Sequence, residues 1–138
     1  HDKTEQAASP EALMRSRWSA FTLGLGDYLY DTLASTHPDR AVDRAVASRE
    51  LGRAKNTQRF LKLTVIDAPE AASNAREGEV LFFAKIFEKG QDRSFAELSR
   101  FVVEDGAWRY ESGVLVPSSA LPKDPGAITR AVFLEAVS

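Results

Sequence analysis

The chain has 138 residues, 43% of them hydrophobic, with a formal net charge of −2 and no cysteine. That length bounds it to one domain able to bury a core of its own, and a near-zero charge with both signs interspersed lacks the electrostatic footprint of a nucleic-acid or anionic-membrane binder. Without cysteine there are no disulfides, thiolate metal sites or thiol catalysis, and no apolar run nears the ~18 residues of a membrane span.

The chain starts with His1 rather than Met, as expected for a segment of something longer or one that has lost a leader. Residues 1–8 are polar and are expected to form a flexible N-terminal segment. Ser9 is placed to cap a helix, with Pro10 at its first position and Glu11 in its first turn. This helix is expected to reach Leu23 and stop at Gly24, with Met14, Trp18 and Phe21 forming one apolar stripe. A second, short helix is expected over 26–34, capped by Asp27, with Tyr28, Leu29 and Leu33 on its apolar side. The Thr36-His37-Pro38-Asp39 stretch breaks the chain, because a residue before proline avoids helical geometry. A third helix is expected over 39–54; its apolar face is weak, which places it on the surface.

Residues 60–67 alternate, with Leu61, Leu63 and Val65 opposite Lys62 and Thr64, and read as a half-buried strand. After a polar connection, 79–113 reads as three consecutive strands with turns at Lys89-Gly90-Gln91 and Glu104-Asp105-Gly106. The first of these is apolar on both faces, so its sheet must be covered on both sides. On the next, Phe95, Phe101 and Val103 share a face with Glu97 and Ser99; on the last, Trp108 and Tyr110 share a face. Residues 114–125 contain Pro117, Pro122 and Pro125 and read as a linker, and 126–137 as a terminal helix packing Ile128, Val132, Phe133 and Val137 inward. Helices first and strands later give an α+β domain over 9–116. A proline-containing linker and C-terminal helix follow over 117–138.

Four motifs carry a family resemblance. LMRSRWSAF (13–21) followed by GDYL (26–29) resembles the start of the central domain of the YchJ family. THP (36–38) resembles its short motif after the second helix, and ELSRFVVEDGAWRYESG (97–113) its final strand pair. The resemblance implies a nuclear transport factor 2-like (cystatin-like) cone, with N-terminal helices packed on a curved, mainly antiparallel sheet. It also implies a bacterial, cytoplasmic protein. In that family the domain is typically flanked by zinc-binding SEC-C motifs rich in cysteine; this chain has none, so a zinc-dependent role does not carry over.

Cones of this kind take ligands in their mouth, so the candidates are the polar and aromatic residues expected there. Glu97, His37 and Tyr28 are the candidate catalytic residues; Arg17, Trp18, Arg100, Trp108 and Tyr110 are the candidate binding residues. Each has a structural reading beside the functional one. Glu97, a carboxylate among apolar groups, is a candidate base; the structural alternative is an ion pair with Arg15 or Arg17 that anchors the first helix to the sheet. His37, the sole internal histidine, sits before proline, which favours a local hydrogen bond. Asp27 reads as a cap and the large aromatics as core. The basic run Arg49, Arg53, Lys55, Arg59 is interrupted by Glu50 and reads as a solvated helix end. The N-terminal His1 raises copper chelation, a remote reading because it needs a second histidine. No phosphate loop, paired-histidine site or nucleophile elbow is present, and no metal or cofactor is expected.

Two functions follow as expectations. The first is a non-enzymatic binding or protein-interaction module, with a small-molecule ligand or a homodimer through an exposed sheet face. The alternative is a small-molecule isomerase, dehydratase or hydrolase with Glu97 as base and Arg17, Tyr28 or His37 polarising the substrate. The two part on whether Glu97 lines an open pocket or is locked by arginine.

Overall fold

The computed structural model describes residues 7–70 and 74–138. Of the segment expected at 1–8, only Ala7 and Ala8 are described, and Ala7 packs against the main core; the copper reading of His1 lies outside the described residues.

Helix α1 (Pro10–Leu23) begins as its residues dictate. Ser9 accepts a hydrogen bond from the Ala12 N–H at 3.1 Å, Pro10 occupies the first turn, and Gly24 closes the helix at φ 71°. Pro10, Leu13, Met14, Arg17 and Ala20 are its buried positions. Helix α2 (Gly26–Asp31) is shorter than the sequence predicts. It stops because the chain beyond it turns to join the sheet. Thr32 O accepts from Tyr110 N–H, and Ala34 N–H donates to Tyr110 O, both at 2.8 Å. Asp27 is not the cap: that position is Leu25, and Asp27 lies in the first turn, 3.7 Å from Arg44.

The single helix expected over 39–54 is three pieces. A 3₁₀ turn (Pro38–Ala41) ends at extended Val42. Helix α3 (Arg44–Gly52) then starts anew, with Asp43 accepting from Val46 N–H, and α4 (Ala54–Thr57) leads into the sheet.

The sheet has the order β1-β2-β4-β5, antiparallel throughout, with short β3 paired to β2. Its strands are β1 (Gln58–Asp67), β2 (Glu77–Glu88), β3 (Gln91–Asp92), β4 (Phe95–Glu104) and β5 (Ala107–Pro117). Both expected turns form as two-residue loops with positive φ at each position, Lys89-Gly90 and Asp105-Gly106, a geometry whose twist matches that of the strands. Strand β5 runs to Pro117, so residues 114–117 are sheet rather than linker. One extra residue on β5 shifts the register between Arg100↔Ser112 and Phe101↔Tyr110, a bulge that re-aims side chains.

Both faces of the sheet are covered, as the two-sided apolar pattern of β2 requires. The inner face carries Val80, Phe82, Ala84, Ile86 and Phe101, packed with Leu13 and Met14 of α1. The outer face carries Leu81, Phe83, Ala96 and Val116, packed with Ile128 and Phe133 from the C-terminal segment. Helix α5 (Arg130–Val137) starts four residues later than 126, capped by Thr129, which accepts from Val132 N–H at 3.1 Å.

Candidate functional site

A cavity of about 220 Å³ lies between α1 and the inner face of the sheet. Its wall is mostly aromatic and aliphatic: Trp18 and Phe21 from α1, Phe60 from β1, Phe82 from β2, and Phe95 and Phe101 from β4. Trp18 meets Phe60 edge-on at 5.4 Å between centroids, and Phe21 stacks on the same ring at 6.2 Å. Four polar side chains meet in one cluster on this wall, Arg17, Glu97, Ser99 and Tyr110, while a fifth, Gln58, lines it apart from them and donates to Glu88.

The cluster is built by strand periodicity and the bulge. Glu97 and Ser99 are two apart on β4 and so share its inner face. The bulge brings Tyr110 of β5 opposite Phe101 on that face. Glu97 Oε2 then accepts two hydroxyl donors, Ser99 Oγ at 2.6 Å and Tyr110 Oη at 2.8 Å. Gly113, opposite Ser99, leaves the room they need: a Cβ there would stand 2.2 Å from Glu97 Oε2 and 2.6 Å from Tyr110 Oη. Burial and the adjacent Glu97 charge push the Tyr110 phenol well above its ordinary pKa, so it is held as a donor.

Arg17 is 7% exposed. Its Nη1 donates to Leu29 O at 2.7 Å and Thr32 Oγ1 at 2.5 Å, pinning α1 to α2. The guanidinium lies over the Tyr110 ring at 5.0 Å and the Phe21 ring at 5.8 Å. Burial pulls its pKa down to about 10, partly offset by Tyr110 and Glu97, so it stays a cation at neutral pH.

The ion pair expected between Glu97 and Arg15 or Arg17 is not made. Arg15 pairs with Glu11 one turn earlier on the exposed side of α1, and Arg17 is occupied by α2. The helix is tied to the fold by Arg17, but through backbone and hydroxyl acceptors.

The other candidates lie elsewhere. His37 caps the 3₁₀ turn, its Nδ1 accepting from Asp39 N–H at 3.0 Å, and its ring tilts against the far part of the site at Tyr110, 5.7 Å between centroids. Tyr28 shares a 2.5 Å hydrogen bond with Ser16 Oγ and borders a separate shallow depression. Arg100 is on the outer face, bridging Glu77 and Glu111 across three strands. Trp108 packs by Pro10 and Gly78, away from the cavity. Of the basic run, Arg53 pairs with Glu50. Thus Glu97, Arg17, Trp18 and Tyr110 meet in one cavity, while Tyr28, His37, Arg100 and Trp108 do not line it. Sequence reasoning missed Ser99 and Gly113 as parts of the site. The two-residue spacing from Glu97 signals Ser99; nothing in the sequence signals Gly113, which depends on the register of β4 against β5.

Among the described residues no group of three His, Cys, Asp or Glu side chains could hold a metal ion, and no helix is long and apolar enough to cross a membrane.

Comparison with known proteins places this architecture. The family model described as "YchJ, middle NTF2-like domain" matches residues 9–113. A UPF0225 protein of Vibrio vulnificus strain YJ016 is 41% identical over 126 residues, 91% of this chain and 70% of the relative. A UPF0225 protein of Chromobacterium violaceum is 37% identical over 109 residues, 79% and 76% of the two chains. Among solved structures, a SEC-C motif containing protein from Rhodopseudomonas palustris superposes with TM-score 0.66 at 34% identity, covering 83% of this chain and 84% of that one. A domain with a cystatin-like fold from Nostoc punctiforme reaches TM-score 0.57 at 16% identity, over 90% and 80% of the chains, a likeness of fold alone. The resemblance carried by the sequence motifs and the helices-on-sheet architecture therefore agree with these matches. The chain belongs to the YchJ family, as its middle, nuclear transport factor 2-like domain.

Proposed function

We propose that this domain is a non-enzymatic binding module that takes a small, mainly apolar molecule into the cavity between α1 and the sheet. The observation that carries the reading is the cavity itself: an aromatic wall with one convergent polar cluster, the usual make-up of a ligand site. At about 220 Å³ it exceeds the ~150 Å³ of an apolar cavity that accepts benzene. The positions of Tyr28 and His37 support binding over catalysis. Neither lines the cavity, so of the three groups read as polarising a substrate beside Glu97 only Arg17 does.

The chain has one methionine, Met14, and it lines the cavity. Its methyl is therefore a single reporter in a ¹³C-methyl spectrum. Titration with toluene or indole is expected to move the Met14 methyl and the Trp18 indole N–H together and saturably, and to leave Trp108 in place. The Ala84→Leu variant, which grows a side chain into the cavity, is expected to abolish the shift. Saturation of neither signal at millimolar ligand overturns the reading.

One observation favours the enzymatic alternative, an isomerase, dehydratase or hydrolase with Glu97 as base. Glu97 lines the cavity and forms no ion pair with a described residue, and its Oε1 accepts no hydrogen bond from one. Exchange of a bound ligand's carbon-bound hydrogen with deuterated solvent separates the two. Exchange that vanishes in Glu97→Gln supports the base; its absence in the parent supports binding alone.

A further inference from the structure

We propose that the cavity selects neutral single-ring aromatic amides or lactams over carboxylates and amines of the same size. The inference rests on the binding reading above and names its ligand class. It follows from which polar atoms of the cluster are filled and which are not.

Among the described residues Arg17 uses only Nη1, on Leu29 O and Thr32 Oγ1. Its Nε and Nη2 donate to no described residue, although the side chain is more than nine-tenths buried and lines the cavity. On the opposing element, Glu97 uses only Oε2, which already holds Ser99 and Tyr110. Its Oε1 accepts from no described residue, and Glu97 is 9% exposed. The wall thus presents unfilled N–H donors from α1 and one unfilled acceptor from β4. None of these atoms is among the described buried atoms that lack a partner, so they are accessible on residues that line the cavity, and a ligand that hydrogen-bonds to both kinds gains over one that bonds to neither.

Charge decides what that ligand is. Arg17 and Glu97 carry opposite unit charges, and neither forms an ion pair with another described residue. Together they leave the cluster neutral. A carboxylate ligand would satisfy Arg17 but place a second negative charge beside Glu97. An ammonium ligand would satisfy Glu97 and repel Arg17. Either leaves a net charge inside an aromatic wall, where it is poorly solvated. A neutral amide or lactam offers a C=O for the guanidinium N–H groups and an N–H for Glu97 Oε1, with no net charge. Its ring is matched by Trp18, Phe60, Phe82 and Phe95. A site built to hydrogen-bond both groups rejects analogues lacking one of them.

The test uses the full chain and the Met14 methyl signal, with benzamide, benzoate, benzylamine at pH 7 and toluene as probes. Benzamide is expected to bind at least about tenfold tighter than benzoate or benzylammonium. Glu97→Gln is expected to shift preference towards benzoate, and Arg17→Met towards benzylammonium. If toluene binds but benzoate or benzylammonium equals benzamide, the ligand class is wrong and the cavity reading stands. If no probe binds, both fall. Should either variant fail to fold, the four-probe series on the parent chain still decides.

Discussion

Tyr110 on β5 donates its hydroxyl to Glu97 on β4 at 2.8 Å, and the arrangement exists only because Gly113 lies between them without a side chain. The bond connects three parts of the molecule. Tyr110 also carries the backbone bonds to Thr32 and Ala34 that bring the end of α2 to the sheet, and its ring lies under the Arg17 guanidinium. The polar cluster of the cavity is therefore also a joint of the fold.

That double role makes Gly113→Ala a sharp test. The added Cβ would overlap the Glu97 carboxylate and the Tyr110 hydroxyl, so one of them must shift and the hydrogen bond between them is broken. The variant is expected to lose about 1–3 kcal/mol, the range for stranding a buried hydrogen-bonding group. Tyr110→Phe removes one of the two donors and is expected to cost a similar amount. Both act on the same bond, so in urea melts the double variant is expected to lose less than the sum of the single losses. Additive losses would mean that Gly113 and Tyr110 act independently.

His37 gives the domain a small pH dependence of known sign. Partial burial, and secondarily Arg17, lower its pKa below 6.5, with Asp39 opposing. A histidine harder to protonate when folded stabilises the fold above its unfolded pKa, and that contribution is lost as pH falls through the folded value. The geometry agrees, because protonated Nδ1 cannot accept from Asp39 N–H. Stability is expected to drop by less than about 1 kcal/mol between pH 7 and pH 5, since the ring is partly solvated. His37→Asn, which can keep the acceptor without titrating, is expected to flatten that slope. An NMR titration placing the His37 pKa above 6.5 would contradict this account.

What could be read from sequence was whatever local rules decide. The alternation in β4, the turns at Lys89-Gly90 and Asp105-Gly106, and the Ser9 cap are all set by neighbouring residues. In β1 the alternation holds only from Lys62 to Val65, because a register shift at Leu61 leaves that residue 48% exposed and puts Phe60 on the buried face with Leu63 and Val65. The break at Val42 was legible in principle, because Asp43 is a good cap three residues before Val46, but the run of alanines and valines masked it. The end of the sheet was misread because Pro117 resembles linker chemistry, and Val114 and Leu115 are half exposed. The site needed more. That Glu97 takes hydroxyls rather than an arginine depends on a one-residue bulge in β5, and strand register of that kind is set by packing across the sheet rather than by spacing along the chain.

Arg100, singled out from sequence as a binding residue, supplies a negative control. It is on the outer face, with Glu77 and Glu111, and all three are substantially solvated. Exposed pairs of this kind contribute roughly 0–1 kcal/mol. Arg100→Ala is expected to change the unfolding free energy in urea melts within that range and to leave the Met14 titration unaltered. A loss of probe binding in this variant would show that the ligand lies on the other side of the sheet.

The outer face bears on association. An open sheet face was the expected route to a homodimer, but here Ile128 and Phe133 cover Leu81, Phe83 and Ala96. Arg130 reinforces the contact through Glu79 at 2.9 Å and Asp67 at 3.5 Å. Phe133 is 1% exposed, and truncating such a residue in a rigid core costs about 3–5 kcal/mol. A helix of eight residues can undock instead of bearing that cost. Phe133→Ala is therefore expected to lose hydrogen-exchange protection in α5 while β2 keeps its own. The bared apolar face is then expected to self-associate in sedimentation equilibrium, more strongly than the parent. Unchanged α5 protection would show that Phe133 does not hold the helix down. Loss of α5 without any rise in self-association would show that the bared face does not pair, and a dimer would have to use another surface.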